Sequence, residues 1–146
     1  YNLHIMVRYE IEKQLVNGKI SVGDLPDFWN SKMEEYLGVT PPNDTKGVLQ
    51  DIHWSMGAIG YFPTYTLGNL YAAQLYAAAL ADDPSIPNKI AKGEFTVLLD
   101  WMRSHIHVHG SKLPPADLLR EATGKDPSSD DFVKYLKTKY TKIYNL

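Results

Sequence analysis

The chain has 146 residues, of which 44% are apolar, and it carries a formal net charge of -2 and no cysteine. This length and apolar content are enough for a domain with its own core, without disulfide or metal staples. The small net charge, with no block of Lys or Arg, excludes the electrostatic footprint of a nucleic-acid or anionic-membrane partner. The absence of cysteine fits a reducing compartment, so the cytoplasm is the expected location.

The sequence also contains neither a membrane-spanning stretch nor a signal-peptide pattern. The longest apolar stretch, residues 70–81, stops at Asp82 and is too short for the ~20 residues that span a bilayer. The chain opens with Tyr1, without an initiator Met or a signal-peptide pattern. This opening suggests a piece of a longer protein.

The first two predicted helices carry clear start and stop signals. Apolar residues recur at helical spacing from Leu3 to Leu15, and Asn17 with Gly18 ends the helix. The polar side chains assigned to its other, solvent-facing side are Arg8, Glu12 and Lys13. The second helix is predicted to begin at an Asp24 cap followed by Pro26 and to end at Gly38.

Four more helices are predicted in the rest of the chain, and no strand. Residues 65–81 are rich in alanine and predict a central buried helix. Residues 94–109 predict a helix that stops at Gly110, and residues 115–122 one that stops at Gly124. Ser129 is the predicted cap of the last. Without repeats or long linkers, the expectation is a single all-α unit over residues 1–146.

The segment with the most chemistry is residues 47–68, whose sequence is GVLQDIHWSMGAIGYFPTYTLG. It places aromatic and ionisable side chains between glycines, and such loops on rigid scaffolds often carry binding groups. The alternative is that its aromatic rings fill a gap between helices and His53 is a satisfied core histidine. Composition alone leaves this choice open.

Two motifs in this segment resemble a known family. Residues 47–54 are similar to G-x-x-Q-D-x-H-W, and residues 60–68 to G-Y-F-P-T-Y-x-L-G, both of the thermostable carboxypeptidase (carboxypeptidase Taq) family. Residues 1–12 resemble the helix after the family's I-R-x-x-A-D motif, and residues 101–110 its W-x-R-x-x-I-H-x-H-G stretch. The resemblance therefore covers essentially the whole chain.

The resemblance implies a C-terminal, all-helical segment of a larger, groove-containing zinc metallocarboxypeptidase, usually a homodimer, that removes C-terminal residues from peptides. In this family an H-E-x-x-H helix and a downstream Glu hold the zinc. The chain contains no H-E-x-x-H sequence. We therefore expect the zinc ligands to lie upstream, no metal site here, and no activity from this chain alone.

The resemblance also implies roles for residues of the loop. In the wider helical peptidase group a His followed by two Tyr assists the reaction, and His53, Tyr61 and Tyr65 match that order but not its spacing. His53 and Tyr65 are the candidate catalytic residues, as donors to the developing oxyanion. Tyr61, Gln50 and Asp51 are the candidate substrate-binding residues, with Asp51 orienting a neighbour or fixing the loop.

Three histidines near the end of the fourth predicted helix suggest a metal site, because imidazole is a common metal ligand. On a helix, however, only His105 and His109 would share a face, and His107 would point away. A helix C-terminus also favours histidine without any metal. We therefore expect a structural role.

Two readings without catalysis remain open on the sequence. The chain could be a helical module that binds peptide C-termini without cutting them, or a dimerisation domain that needs only amphipathic faces. The parent reading frame separates these from the peptidase, because an upstream H-E-x-x-H favours the latter.

Overall fold

The computed structural model describes residues 1–146 and contains helices and turns but no strand. The prediction of an all-α fold is confirmed. None of its helices has both the length and the apolar character needed to cross a bilayer. The seven α-helices are α1 (Asn2–Val16), α2 (Leu25–Leu37), α3 (Pro63–Asp82), α4 (Ile86–Ala91), α5 (Thr96–His105), α6 (Pro115–Thr123) and α7 (Asp130–Tyr144).

The chain divides into two compact units, Tyr1–Leu67 and Gly68–Leu146. The boundary falls within α3, so the first turn of that helix belongs to the first unit and its remainder to the second. The single domain expected from the sequence stays a prediction. Each unit has its own cluster of buried apolar side chains and is described by itself.

The core of the first unit forms where α1 packs against α2. It is made of buried side chains from both helices and from the short 3₁₀ turn that follows them: Val7, Ile11, Trp29, Met33 and Val48. The predicted ends of α2 are confirmed, because the helix starts after Asp24 and ends at Gly38, whose φ of 64° is left-handed. The Asp24 carboxylate does not cap the helix. It instead accepts hydrogen bonds from the Ser21 backbone N–H and hydroxyl.

The solvent-facing side predicted for α1 is wrong for Glu12, which is 5% exposed, whereas Lys13 is exposed. Arg8 is half-buried. Helical periodicity shows which residues share a polar face, but that face is exposed to solvent only if no polar segment packs on it. Here residues 51–60 return to α1 with groups that pair with these two charged side chains.

The second unit is built around α3, α4 and α5, whose buried side chains include Ala79, Ile86 and Trp101. Helix α4 was not predicted, because its six residues are too few to show a periodicity. Helix α3 is also less buried than expected: its buried residues are Gln74 and Ala79. Its alanines are not all inside, because Ala79 is buried whereas Ala72 and Ala81 are exposed.

The predicted helix over residues 94–109 is in fact two elements. Helix α5 ends at His105, and Ile106 has φ -121° and ψ -61°, after which His107–His109 form a 3₁₀ turn. The predicted ends of the following helices are confirmed, with Gly124 left-handed after α6 and Ser129 before α7. His105 and His109 therefore do not lie on one helix, and the expectation that they share a helix face is wrong.

Candidate functional site

The candidate site lies in the first unit, on the loop between α2 and α3 and on the first turn of α3. The loop reverses direction at Gly57 and Gly60, whose φ values of 72° and 79° are left-handed. Residues with a side chain rarely adopt this backbone conformation, so glycine is suited to both turns. The Ala58 N–H donates to the His53 carbonyl oxygen at 2.9 Å, which closes the turn that presents the imidazole.

The structure brings together three of the predicted site residues. The His53 Nε2 atom lies 3.1 Å from the Tyr65 hydroxyl oxygen. The Tyr61 ring stacks on His53 with centroids 6.0 Å apart and meets Tyr65 edge-on at 5.3 Å. His53 and Tyr65 are partly buried, while Tyr61 is 49% exposed. An imidazole and a phenol are thus held side by side beneath a reachable aromatic ring.

Asp51 lies behind the imidazole and is shared between two partners. Its Oδ2 atom accepts a hydrogen bond from Arg8 Nε at 2.6 Å. Its Oδ1 atom is 3.8 Å from His53 Nδ1, a buried nitrogen with no hydrogen-bond partner. The carboxylate therefore spans the space between α1 and the imidazole.

Glu12 holds the other side of the same loop. Its Oε2 atom accepts from Trp54 Nε1 at 3.0 Å, and its Oε1 atom accepts from the Gly60 backbone N–H at 2.6 Å. Both oxygens are therefore used, which is what a buried carboxylate requires. Glu12 fixes the loop at Trp54, before the left-handed turns, and at Gly60, the second of them.

Two pKa shifts describe the electrostatics of this group. Burial, followed by the neighbouring Tyr61 phenol, raises the pKa of Tyr65. The Tyr65 hydroxyl therefore keeps its proton at neutral pH and can donate a hydrogen bond. Burial, followed by the charge of Arg8, lowers the pKa of His4.

Gln50, the fifth predicted site residue, is exposed and turned toward another part of the loop. Its amide nitrogen donates to the Thr45 carbonyl oxygen. Its amide oxygen remains the group with which it could meet a ligand. The structure thus joins His53, Tyr61, Tyr65 and Asp51, and places Gln50 on the preceding turn.

Sequence reasoning missed Arg8 and Glu12. A signal was present, because His4, Arg8 and Glu12 follow one another at four-residue spacing and so share a face of α1. The same spacing is also typical of a solvated face. What the sequence could not provide was the partner segment, some forty residues further along the chain.

The histidines of the second unit show no metal site. The His105 ring stacks on Trp101 with centroids 4.4 Å apart, and its Nδ1 atom lies 2.9 Å from the Trp101 carbonyl oxygen. No group of three or more His, Asp or Glu side chains in the structure could hold a metal ion. The residues of this chain therefore do not fit a zinc site of the H-E-x-x-H kind.

Comparison with known proteins identifies the family of this helical chain. Residues 1–140 match the family described as Carboxypeptidase Taq (M32) metallopeptidase. The chain belongs to this family.

Curated relatives are similar along the whole chain. The chain is 44% identical over 146 residues to Carboxypeptidase 1 of Bacillus subtilis (strain 168), covering 100% of the chain and 29% of the relative. It is 48% identical over 144 residues to Thermostable carboxypeptidase 1 of Thermus thermophilus, covering 99% of the chain and 28% of the relative. The chain thus spans less than a third of the length of these relatives and matches a C-terminal part of them.

Solved structures share the fold. The M32 carboxypeptidase from Deinococcus radiodurans R1 superposes with a TM-score of 0.96 at 40% identity, covering 100% of this chain and 30% of that one. The Trypanosoma cruzi metallocarboxypeptidase 1 gives 0.91 at 41% identity, covering 96% and 30%. The prediction of a helical segment of a larger metallopeptidase fold is confirmed.

Proposed function

We propose that the chain is part of a zinc metallocarboxypeptidase that hydrolyses the C-terminal peptide bond of peptides, and that it supplies substrate-binding and oxyanion-side residues. The observation that carries the proposal is the pair formed by His53 Nε2 and the Tyr65 hydroxyl, 3.1 Å apart beneath the half-exposed Tyr61. Family membership supports the reaction class.

The chemistry proposed for this pair is the stabilisation of charge. During peptide hydrolysis the scissile carbonyl oxygen gains negative charge, which exists only in the transition state and the tetrahedral intermediate. A protonated phenol aimed at that oxygen stabilises it selectively. The pKa of Tyr65 is raised rather than lowered, so its surroundings do not favour loss of the proton that this role needs. His53 contributes either directly, as a second donor, or by orienting the phenol.

The end of the substrate is assigned to the residues around the pair. Tyr61 is half-exposed, and its phenol suits a terminal carboxylate or the last side chain of a peptide. The amide oxygen of Gln50, whose nitrogen donates to Thr45, suits a peptide N–H. Asp51 is assigned to the binding region through its effect on its neighbours, since Arg8 engages one of its oxygens.

Further proposals rest on the family resemblance. Zinc is the proposed metal, with ligands outside these residues, so the chain alone is proposed to be inactive. A homodimer and a cytoplasmic location are proposed for the complete enzyme. The rest of such an enzyme would give partners to the many large apolar side chains that are exposed here, such as Leu49 (69%) and Met56 (70%).

The test is a chimera in which this chain replaces the matched C-terminal part of the Bacillus subtilis carboxypeptidase 1. With zinc present, we expect it to release the last residue of a short peptide with a free carboxylate, but not of the same peptide with an amidated end. The 146-residue chain alone should release nothing. His53→Ala should lower kcat about 100-fold.

The controls distinguish the peptidase from its alternative. Melting temperature and zinc content should be equal in the chimera and its His53→Ala variant. A folded, zinc-loaded chimera that binds the peptide but releases no amino acid would contradict the proposal. It would favour the non-catalytic peptide-binding module instead, and association without peptide binding would favour the dimerisation module.

A further inference from the structure

We propose that Arg8 of α1 is a positioning residue for the His53–Tyr65 pair: through Asp51 it fixes the imidazole proton on Nδ1 and leaves Nε2 to face the Tyr65 hydroxyl. The inference rests on the proposed function for its catalytic consequence. Its structural content, the state of the imidazole, can be measured without any activity.

Arg8 is held in one place by three kinds of contact. Its Nε atom donates to Asp51 Oδ2 at 2.6 Å, and a terminal nitrogen donates to the His4 carbonyl oxygen at 2.7 Å. The guanidinium carbon lies 4.8 Å from the centroid of the Trp29 ring, over its face. Stacking and directed hydrogen bonds suit a planar guanidinium and not an ammonium group. The side chains of the ion pair are 13% and 17% exposed, so solvent screens it only weakly.

Asp51 transmits this constraint to the imidazole. With Oδ2 engaged by Arg8, Oδ1 is left facing His53 Nδ1 at 3.8 Å. That nitrogen is buried and has no other partner. An unprotonated Nδ1 would set a lone pair against a carboxylate oxygen, whereas an N–H there is attracted to it. The carboxylate therefore selects the proton on Nδ1, as carboxylates behind a histidine commonly do.

The consequence falls on the opposite side of the ring. With the proton on Nδ1, a neutral His53 has an acceptor at Nε2, which lies 3.1 Å from the Tyr65 hydroxyl. In the free protein the phenol then donates its one O–H to Nε2, which fixes the position of the hydroxyl, and in the proposed reaction this O–H turns from Nε2 to the carbonyl oxygen of the substrate. Loss of Arg8 frees the Asp51 carboxylate to rotate, so the two tautomers of His53 become closer in energy.

The other titratable groups around the pair do not supply this selection. Tyr61 stacks on the imidazole ring face and Tyr65 meets Nε2. His4 contacts Arg8 rather than His53. Glu12 has both oxygens engaged by Trp54 and Gly60. Asp51 is the carboxylate that faces Nδ1, and Arg8 is the cation that holds it.

The kinetic test is a double-mutant cycle in the zinc-loaded chimera, with Arg8→Gln, Asp51→Asn and the double variant. Each single variant should lower kcat by about 10-fold to 100-fold with little change in KM, as for partners that orient a functional side chain. The double variant should be no worse than Asp51→Asn, because Arg8 acts through Asp51. Lys13→Gln, which removes a positive charge from the exposed side of the same helix, should leave kcat unchanged.

The second measurement is the ¹⁵N spectrum of His53 in the histidine-labelled chain, assigned with His53→Gln. The unmutated chain should show a protonated Nδ1 and an unprotonated Nε2, Arg8→Gln a mixture, and Arg8→Lys a partial return. A proton on Nε2, or free exchange of tautomers, in the unmutated chain would overturn the inference. So would additive kinetic losses in the cycle. If the tautomers behave as expected but the unmutated chimera cleaves nothing, the proposed function fails and the assignment of Arg8 stands.

Discussion

Glu12 in the first unit and Gln74 in the second are the two polar side chains that the protein buries, with 5% and 2% of their surface exposed. Both hold a loop. Glu12 accepts from Trp54 and Gly60 on the loop that carries His53. Gln74 donates to Thr123 Oγ1 at the end of α6 and to the Asp126 carbonyl oxygen, and it accepts from the Ser128 N–H on the segment before α7.

The difference lies in what each loop leaves unpaired. The segment held by Gln74 carries no imidazole or phenol. The amide nitrogen and the amide oxygen of Gln74 both form hydrogen bonds with it. The loop held by Glu12 presents an imidazole whose Nδ1 has no hydrogen-bond partner, together with two tyrosines. A fully satisfied buried network rigidifies a fold, whereas one that ends in an unpaired titratable atom suggests a site. Buried polarity alone does not separate the two cases.

The largest effect is expected for Glu12→Ala. It leaves the Trp54 and Gly60 N–H groups unpaired at ~1–3 kcal/mol each, so the free energy of unfolding should fall by about 3 kcal/mol. In the chimera kcat should fall as well, because the turn that presents His53 loosens. Urea unfolding and steady-state kinetics measure the two losses. An unchanged kcat in folded protein would break the link between this carboxylate and the site.

Gln74→Leu should lower the free energy of unfolding by about 2 kcal/mol, because it removes the partner of the Ser128 N–H and leaves carbonyl oxygens facing an apolar group. Under conditions where the chimera is fully folded, kcat and KM should stay within about two-fold of the unmutated values, an effect below 0.5 kcal/mol. Thermal melts and the same kinetic assay test this. A large loss of kcat at equal folded fraction would erase the contrast with Glu12.

Tyr61→Phe tests the division of roles inside the site. If the exposed hydroxyl holds the end of the substrate, KM should rise about 5-fold to 10-fold, the worth of one hydrogen bond of ~1 kcal/mol, with kcat changed less. The ring that stacks on His53 is retained. Michaelis–Menten kinetics on a short peptide measure both constants, and a fall in kcat alone would assign Tyr61 to the reaction step instead.

The smallest effect concerns Glu10, which lies two residues from Glu12 but is 36% exposed. The hydrogen bond from Tyr36 lowers the pKa of this carboxyl group. Its stabilising contribution is therefore present above the unfolded-state pKa and is lost as pH falls through the lower, folded-state value. Tyr36→Phe should reduce the loss of stability between pH 6 and about pH 3, by less than about 0.5 kcal/mol. Urea midpoints at the two pH values test this prediction. If the variant lost as much stability between them as the unmutated protein, the Tyr36 hydrogen bond to Glu10 would not contribute to the acid response.

Much of the fold followed from local sequence signals. Gly38 and Gly124 end helices because they adopt left-handed conformations, and both stops were predicted. Helix α4 escaped because it is shorter than two turns. The break after His105 was not predicted, because no Gly or Pro marks it before Gly110. The helical pattern of the sequence also continues through residues that the structure places in a 3₁₀ turn.

The site was only half predictable. The loop motifs pointed to His53, Tyr61 and Tyr65, which the structure brings together. The charged residues behind them come from α1, and their pairing with Asp51, Trp54 and Gly60 depends on how the loop folds back. A four-residue spacing shows that Arg8 and Glu12 share a face of α1, but it does not show whether that face meets solvent or a loop that packs on it.

The most direct test of the central claim, that the His53–Tyr65 pair acts on the oxyanion, is kcat of Tyr65→Phe in the zinc-loaded chimera. The substitution removes one hydroxyl and keeps the ring, so a loss of rate reports the hydrogen bond rather than the fold. With Tyr144→Phe, a mostly exposed tyrosine of α7, as the matched control, we predict a fall in kcat of about 100-fold with a modest change in KM. A kcat equal to that of the control, at equal zinc content and melting temperature, would contradict the account. It would indicate that the loop only fills the gap between helices.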